Sequence, residues 1–269
     1  MHFANALLQI NQHSFFIGNI SKIIILIIGA IVGFLSGLLG KGGSAITTPA
    51  LQIFVGINPF AALASPLPAT LPTTLSASIA YSKENLISKR VVVSCIVLGI
   101  PATFIGSFLS DWLGGNMLMI LTALFVLSLG ISFFVLHSNP EFSNENKIPL
   151  WKIAVIAISV GFLSGLLANS GGVLFGPLFI RVLKMPTKQA LASSLLVAAG
   201  LAIPGTIAHW YLEHIDWEIV LLLSISSIPF SYLGAKTAIR LNNLLLERIF
   251  GIMLVGFGIF DLWYSIAHP

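Results

Sequence analysis

The sequence predicts an all-α, polytopic membrane protein made of two inverted repeats, each of about five helical segments and each carrying a broken-helix hairpin. Three observations lead there. First, 57% of the 269 residues are hydrophobic and only 8% are charged. A soluble domain carries roughly 25% charge, so this chain has too little to cover a water-facing surface. Second, "GFLSGLL" occurs at 33–39 and again at 161–167, 128 residues later. Third, basic residues fall in opposite sets of equivalent loops in the two halves. The long apolar runs are continuous, which fits helices of ~20 residues and not the period-two alternation of a membrane barrel.

Taken in order, residues 1–21 lack the apolar core and small-residue cleavage site of a secretory signal and read as a tail or short surface helix. The first repeat covers 22–137, with helical pieces expected near 22–39, 44–55, 61–82, 91–113 and 117–136. The most polar stretch, "HSNPEFSNENKIPL", marks a linker at 138–150. The second repeat covers 151–267, with pieces near 151–167, 173–183, 188–211, 218–238 and 246–266. The second piece of each half is short. Twelve residues of helix rise only about 18 Å, too little to cross a bilayer comfortably.

The 128-residue offset extends beyond the heptapeptide. It superposes Pro49 on Pro177, Ser65 on Ser193, Pro101 on Pro229, Gly106 on Gly234 and Gly130 on Gly258. Loop charge then sets orientation, because Lys and Arg concentrate in cytoplasmic loops. The loop "SKENLISKR" holds Lys83, Lys89 and Arg90, whereas its counterpart "EHIDWE" holds no base. The loop "RVLKMPTK" holds Arg181, Lys184 and Lys188, whereas its counterpart "GINPFA" holds none. Equivalent loops on opposite sides are the mark of an inverted repeat, an arrangement found in secondary transporters.

Each heptapeptide runs into a polar break, "GKGGS" at 40–44 and "ANSGG" at 168–172. Such a break turns the chain back within the membrane, where irregular backbone needs protein or water around it. The restarting helix presents free N–H groups and its positive dipole end, a ready anion site. Candidate substrate-binding residues are therefore Lys41, Gly42, Gly43 and Ser44 in the first break, and Asn169, Ser170, Gly171 and Gly172 in the second. The helices that follow are rich in hydroxyls, adding Ser65, Thr70, Ser193 and Ser194. Lys41 either lines an anion cavity or reaches interfacial water; Ser36 and Ser164 read as helix-packing residues. His209, beside Trp210 and Tyr211, reads as an interfacial residue of an aromatic belt.

"GFLSGLLGKGGSAITTPAL" and "GFLSGLLANSGGVLFGPLF", in a chain of two such halves, resemble the TauE/SafE sulfite exporter family from about residue 20 to residue 266. The resemblance implies multi-pass insertion in a prokaryotic cell membrane and transport of a small sulfur-containing anion: sulfite, thiosulfate or an organosulfonate. The substrate is then expected between two opposed Gly-rich hairpin tips. Partners would be that anion and the lipid bilayer, and a homodimer is compatible with the reading.

Other classes fit less well. The net charge of +4 sits in short loops and gives no nucleic-acid signal. Cys95 is the single cysteine, and there is no His-x-x-x-His pair, so neither a metal nor another cofactor is expected. A P-loop is absent, which argues against a self-contained pump. Only Asp261 of the acids falls inside an apolar segment, so the chain lacks a central carboxylate for a proton relay. A passive anion channel is the nearest rival. An intramembrane serine hydrolase using Ser36 and His209 is a distant one, because Ser36 has a twin in Ser164 and no third orienting group is apparent; the chain is read as a non-enzyme.

Overall fold

The computed structural model describes residues 18–40, 44–113, 148–166 and 172–267, together with 120, 123, 124, 127, 128, 130 and 131. All regular structure among them is helical. The helices are α1 (Asn19–Leu39), α2 (Ser44–Val55), α3 (Pro59–Ala64), α4 (Pro66–Lys83) and α5 (Lys89–Leu113) in the first half. In the second they are α6 (Leu150–Leu166), α7 (Gly172–Arg181), α8 (Thr187–Tyr211), α9 (Trp217–Arg240) and α10 (Asn243–Ala267). The described residues between 120 and 131 are helical too. Five of these helices are long and apolar enough to cross a membrane, and Leu150–Leu166 is a shorter apolar helix. The side chains that face outward from them are large and apolar, Ile27, Val97, Leu221 and Ile252 among them. A surface of this kind is matched to lipid and not to water.

One expected helix, 61–82, is divided. It runs as α3 and α4 with a turn at Ser65. Pro66 and Pro68 carry no N–H, so the helical ladder cannot pass through this point unbroken. Asn58 caps α3, its side chain accepting from the Phe60 N–H at 2.9 Å.

The halves interlock through glycines. α1 packs on α9: a Cβ at Gly29 would meet the Ser226 hydroxyl, one at Gly33 the Ser227 backbone and one at Gly37 the Ser231 carbonyl. Contact levels rise together, so α1 and α9 run parallel. α6 packs on α5 in the same way, with Gly161 against Gly99 and Gly165 against Thr103 and Ser107. Adding 128 to Gly37 and Thr103 gives Gly165 and Ser231, so these contacts are twins. Gly106 on Phe162 and Gly234 on Phe34 form a further twin pair, and so do Gly130 on Val255 and Gly258 on Leu127. Each half thus gives its first helix to the other, α1 to α9 and α6 to α5. Close backbone approach at small residues replaces the hydrophobic drive that helices lack inside lipid.

The directions of the helices follow from these levels. Leu67 at the start of α4 lies by Gly205 late in α8, and Ser88 beyond the end of α4 bonds Ser193 early in α8. α4 and α8 are antiparallel. α8 descends beside α5, with Gly200 at Ile96 and Leu201 at Gly99, and α5 is parallel to α6. α1 and its twin α6 therefore point in opposite directions.

Candidate functional site: a hydroxyl-lined cavity on one side of the bundle

α4 owes its shape to its sequence, "PLPATLPTTLSASIAYSK". Pro72 removes another ladder N–H, and threonines and serines fill the positions around it. Thr70, Thr74 and Ser78 donate to the carbonyls of Pro66, Thr70 and Thr74 at 2.9, 2.7 and 2.7 Å. Thr73 donates to the Ala69 carbonyl at 2.7 Å. This satisfies hydroxyls buried in an apolar bundle while leaving their lone pairs available.

α9 faces this staircase. The Ser227 and Thr73 hydroxyls are hydrogen-bonded to each other, and the Ser231 hydroxyl donates to the Thr73 carbonyl at 2.8 Å. Where α1, α2, α4 and α9 meet, a small cavity opens, with room for one or two waters. Gly29 and Val32 line it from α1, Thr47 from α2, Pro66, Ala69, Thr70 and Thr73 from α4, and Leu223 and Ser227 from α9. No charged side chain is on its wall.

The twin positions are apolar. Adding 128 converts Thr47, Thr70 and Thr73 to Phe175, Ala198 and Leu201, all fully buried. Subtracting 128 converts Ser227 to Gly99. The Leu201 side chain lies against Gly99, where the twin contact is the Thr73–Ser227 hydrogen bond. Leu201 and Phe175 belong to an extensive apolar cluster that also takes in Ile153, Val160, Phe179 and Leu195. The bundle is symmetric in backbone and one-sided in chemistry.

Of the residues singled out from sequence, Thr70 is on the cavity wall. Ser65 and Ser193 instead tie turns: Ser65 accepts the Asp216 N–H at 2.9 Å, and Ser193 accepts the Ser88 N–H at 3.0 Å. Ser194 donates to the carbonyls of Gly40 and Leu191, which fixes the end of α1. Ser44 and Gly172 open α2 and α7. Lys41, Gly42, Gly43, Asn169, Ser170 and Gly171 lie outside the described residues. The approaches to the two breaks are at opposite ends of the bundle. Gly40 packs on Leu191 at the end where α5 begins, whereas Leu166 packs by Gly106, seventeen residues (about 26 Å) further along α5. Thr73 belongs to the hydroxyl-rich stretch 65–74 but was not itself a candidate, and Thr47 and Ser227 escaped the sequence reading, although "TTP" inside so short a helix and "SSIP" in α9 were visible signs of buried polarity. His209 is a correction. It is buried, with 3% of its surface exposed, because it points inward from a helix whose Trp210 and Tyr211 point out.

Charge is sorted between the two ends. Lys83 and Lys236 sit over the Tyr232 ring at 5.9 and 5.4 Å, and Lys188 donates to the Ile239 carbonyl at 2.6 Å, all at the end where α4 and α9 finish. At the other end Lys22 pairs with Glu218 at 2.8 Å beside Glu213 and Asp216.

The family profile described as "Sulfite exporter TauE/SafE" matches residues 25–260. The chain belongs to the TauE/SafE family. A relative in Xylella fastidiosa, named "Probable membrane transporter protein", is 29% identical over 89% of this chain and 94% of its own. The Bacillus subtilis "Probable membrane transporter protein YunE" is 23% identical over 83% of this chain and 89% of its own. A Methanocaldococcus jannaschii relative with the same kind of name is 24% identical over 86% and 90%. No solved structure matches the chain. Family membership and the apolar helices together make this TauE/SafE protein a multi-pass membrane transporter.

Proposed function

We propose that this TauE/SafE protein is a secondary carrier for a small sulfur-containing anion (sulfite, thiosulfate or an organosulfonate) across a prokaryotic cell membrane, and that it is not an enzyme. The single observation that carries the reading is the small hydroxyl-lined cavity, with Thr47, Thr70, Thr73 and Ser227 on its wall, which the rocking of the halves widens to admit an anion. Hydroxyls can turn from their own carbonyls to sulfonyl oxygens, and they do so without a second buried charge. Thr47 stands in the first turn of α2, so the dipole end of that helix contributes on the same side. Gly42 and Gly43 lead into this helix start, and Lys41 adds the charge that draws an anion from water. Asn169, Ser170 and Gly171 lead into α7 on the apolar side, where they serve the turn and the exit route.

The halves are read as inverted in the membrane. Antiparallel α1 and α6 support this, and so does the sorting of bases to one end. Alternating access then follows from rocking one half against the other at the glycine contacts.

Proteoliposome flux tests the reading. Equilibrium counterflow of labelled sulfite or thiosulfate is expected, because a carrier exchanges one substrate molecule for another. Conductive leak without counterflow indicates the rival channel, and no movement of any sulfur anion rejects the substrate class.

A further inference from the structure

The turn between α4 and α5 and the turn between α8 and α9 are the same turn built twice. Asn85 and Glu213, 128 residues apart, both adopt the left-handed conformation, with φ of 54° and 56°. The Leu86 N–H bonds the Tyr81 carbonyl at 3.3 Å, and the His214 N–H bonds the His209 carbonyl at 3.0 Å. Ser65 and Ser193 cap the two turns in twin fashion. Only the side chains differ. Where the first copy has Tyr81 and Leu86, the second has His209 and His214.

The two imidazoles face each other, Nδ1 to Nδ1, at 3.3 Å. Their ring centroids are 5.6 Å apart, and Phe60 of α3 stacks on His214 at 4.6 Å and 23°. The first copy shows that this backbone needs no histidine. Tyr81 is fully buried and spends its hydroxyl on the Gly37 carbonyl at 3.0 Å.

We propose that His209 and His214 form a proton-binding site at the end of the bundle opposite the basic loops. The geometry defines its capacity. One N–H fits between two facing Nδ1 atoms, so one ring donates and the other accepts. The pair takes up one further proton with the contact intact, since a single hydrogen still lies between the rings. A second proton puts two N–H groups nose to nose and opens the contact. The charged residues of the turn and the adjoining helix starts are Glu213, Asp216 and Glu218, the last paired with Lys22 of α1, and α5 and α10, which run to this end, carry Asp111 and Asp261. Asp216 spends a carboxylate oxygen on the N–H groups of Glu218 and Ile219. α3 and the first turns of α4 carry no charged residue. Acids therefore outnumber bases here, which suits a site that gains positive charge. It supplies a titratable group to a bundle whose acids, Asp261 of α10 apart, sit in loops and helix ends.

The test is a pH titration of histidine-selectively 15N-labelled protein in micelles, followed by NMR. Six histidines are present, and two variants, His209→Tyr and His214→Leu, assign the pair. Each substitution installs the residue found in the twin turn, so the turn is preserved. In the wild type, the two imidazoles are expected to titrate in two separated steps, as coupled sites do. In each variant the surviving histidine is expected to titrate in one step, displaced by at least about half a pH unit. Trp210 and Trp217, edge to face at 6.3 Å beside the turn, report the same transition by fluorescence in the wild type. Two superimposable single-step titrations in the wild type, with no pH-dependent tryptophan signal, overturn the proposal. The readout needs no substrate, so it stands or falls separately from the sulfur-anion reading.

Discussion

The hydroxyl of Ser65 accepts the backbone N–H of Asp216 at 2.9 Å, from one half of the chain to the other. Its twin is Ser193 accepting the N–H of Ser88 at 3.0 Å. Ser65 closes the turn that leads into α9, and Ser193 the turn that leads into α5. The two bonds lie at opposite ends of the bundle and fix where α4 and α8 sit against α9 and α5.

Loss of either hydroxyl leaves an N–H without its acceptor. Ser193→Ala, where both partners are buried, should cost about 1–3 kcal/mol, and Ser65→Ala less, because the Asp216 N–H is partly solvated. Apparent melting in detergent should fall for each, and the double variant should lose close to the sum, since the sites are far apart. A Ser193→Ala protein that melts with the wild type would mean the bond contributes nothing.

Gly37→Ala and Gly165→Ala should be equally damaging. A Cβ at Gly37 runs into the Ser231 carbonyl, and one at Gly165 into the Thr103 carbonyl. Backbone cannot step aside as a side chain can, so the helices must part, at roughly 1–3 kcal/mol. Gly205→Ala is the control, since its Cβ meets only Leu67 side-chain carbons at 3.5 and 3.7 Å. Yield of folded protein by size exclusion should drop for the first two and hold for the third.

Much of this was legible in the sequence. Composition gave the membrane class, and the offset of 128 marked which small residues are equivalent, with a Gly-xxx-Gly spacing on one helix face calling for a close partner. Which helix that partner is could not be read, since small residues mark a contact without naming its other side. The broken hairpins suggested tips that face each other, yet their approaches lie at opposite ends. Thr70 was recognisable as a buried hydroxyl, whereas Ser227 became a candidate only once α9 was seen beside α4. His209 was misread because its aromatic neighbours point the other way, and one helical residue turns a side chain by about 100°.

Accessibility labelling should separate the two ends. With Cys95 replaced, single cysteines at 89 and 236 should label only from the cytoplasm, and one at 213 only from outside. Labelling of 89 and 213 from the same face would contradict the inverted arrangement.

Lys41→Met should weaken anion binding by about tenfold or more, as a partly desolvated charged contact is worth roughly 1.5–3 kcal/mol. Titration of the purified variant at fixed salt measures it. Unchanged affinity would put this lysine in interfacial water and leave the anion to hydroxyls and the α2 helix start.

A small sulfur anion is proposed to bind in the cavity beside Thr73 and Ser227, widened as the halves rock. Calorimetric titration of purified protein with sulfite, thiosulfate, sulfate and taurine tests it most directly, for the wild type and for Thr73→Val with Ser227→Ala. At least one sulfur anion should bind the wild type. The double variant should bind it about tenfold more weakly, from two hydroxyl contacts of roughly 0.5–1.5 kcal/mol each. Binding of equal strength in both proteins, or no binding of any of the four, would contradict the account.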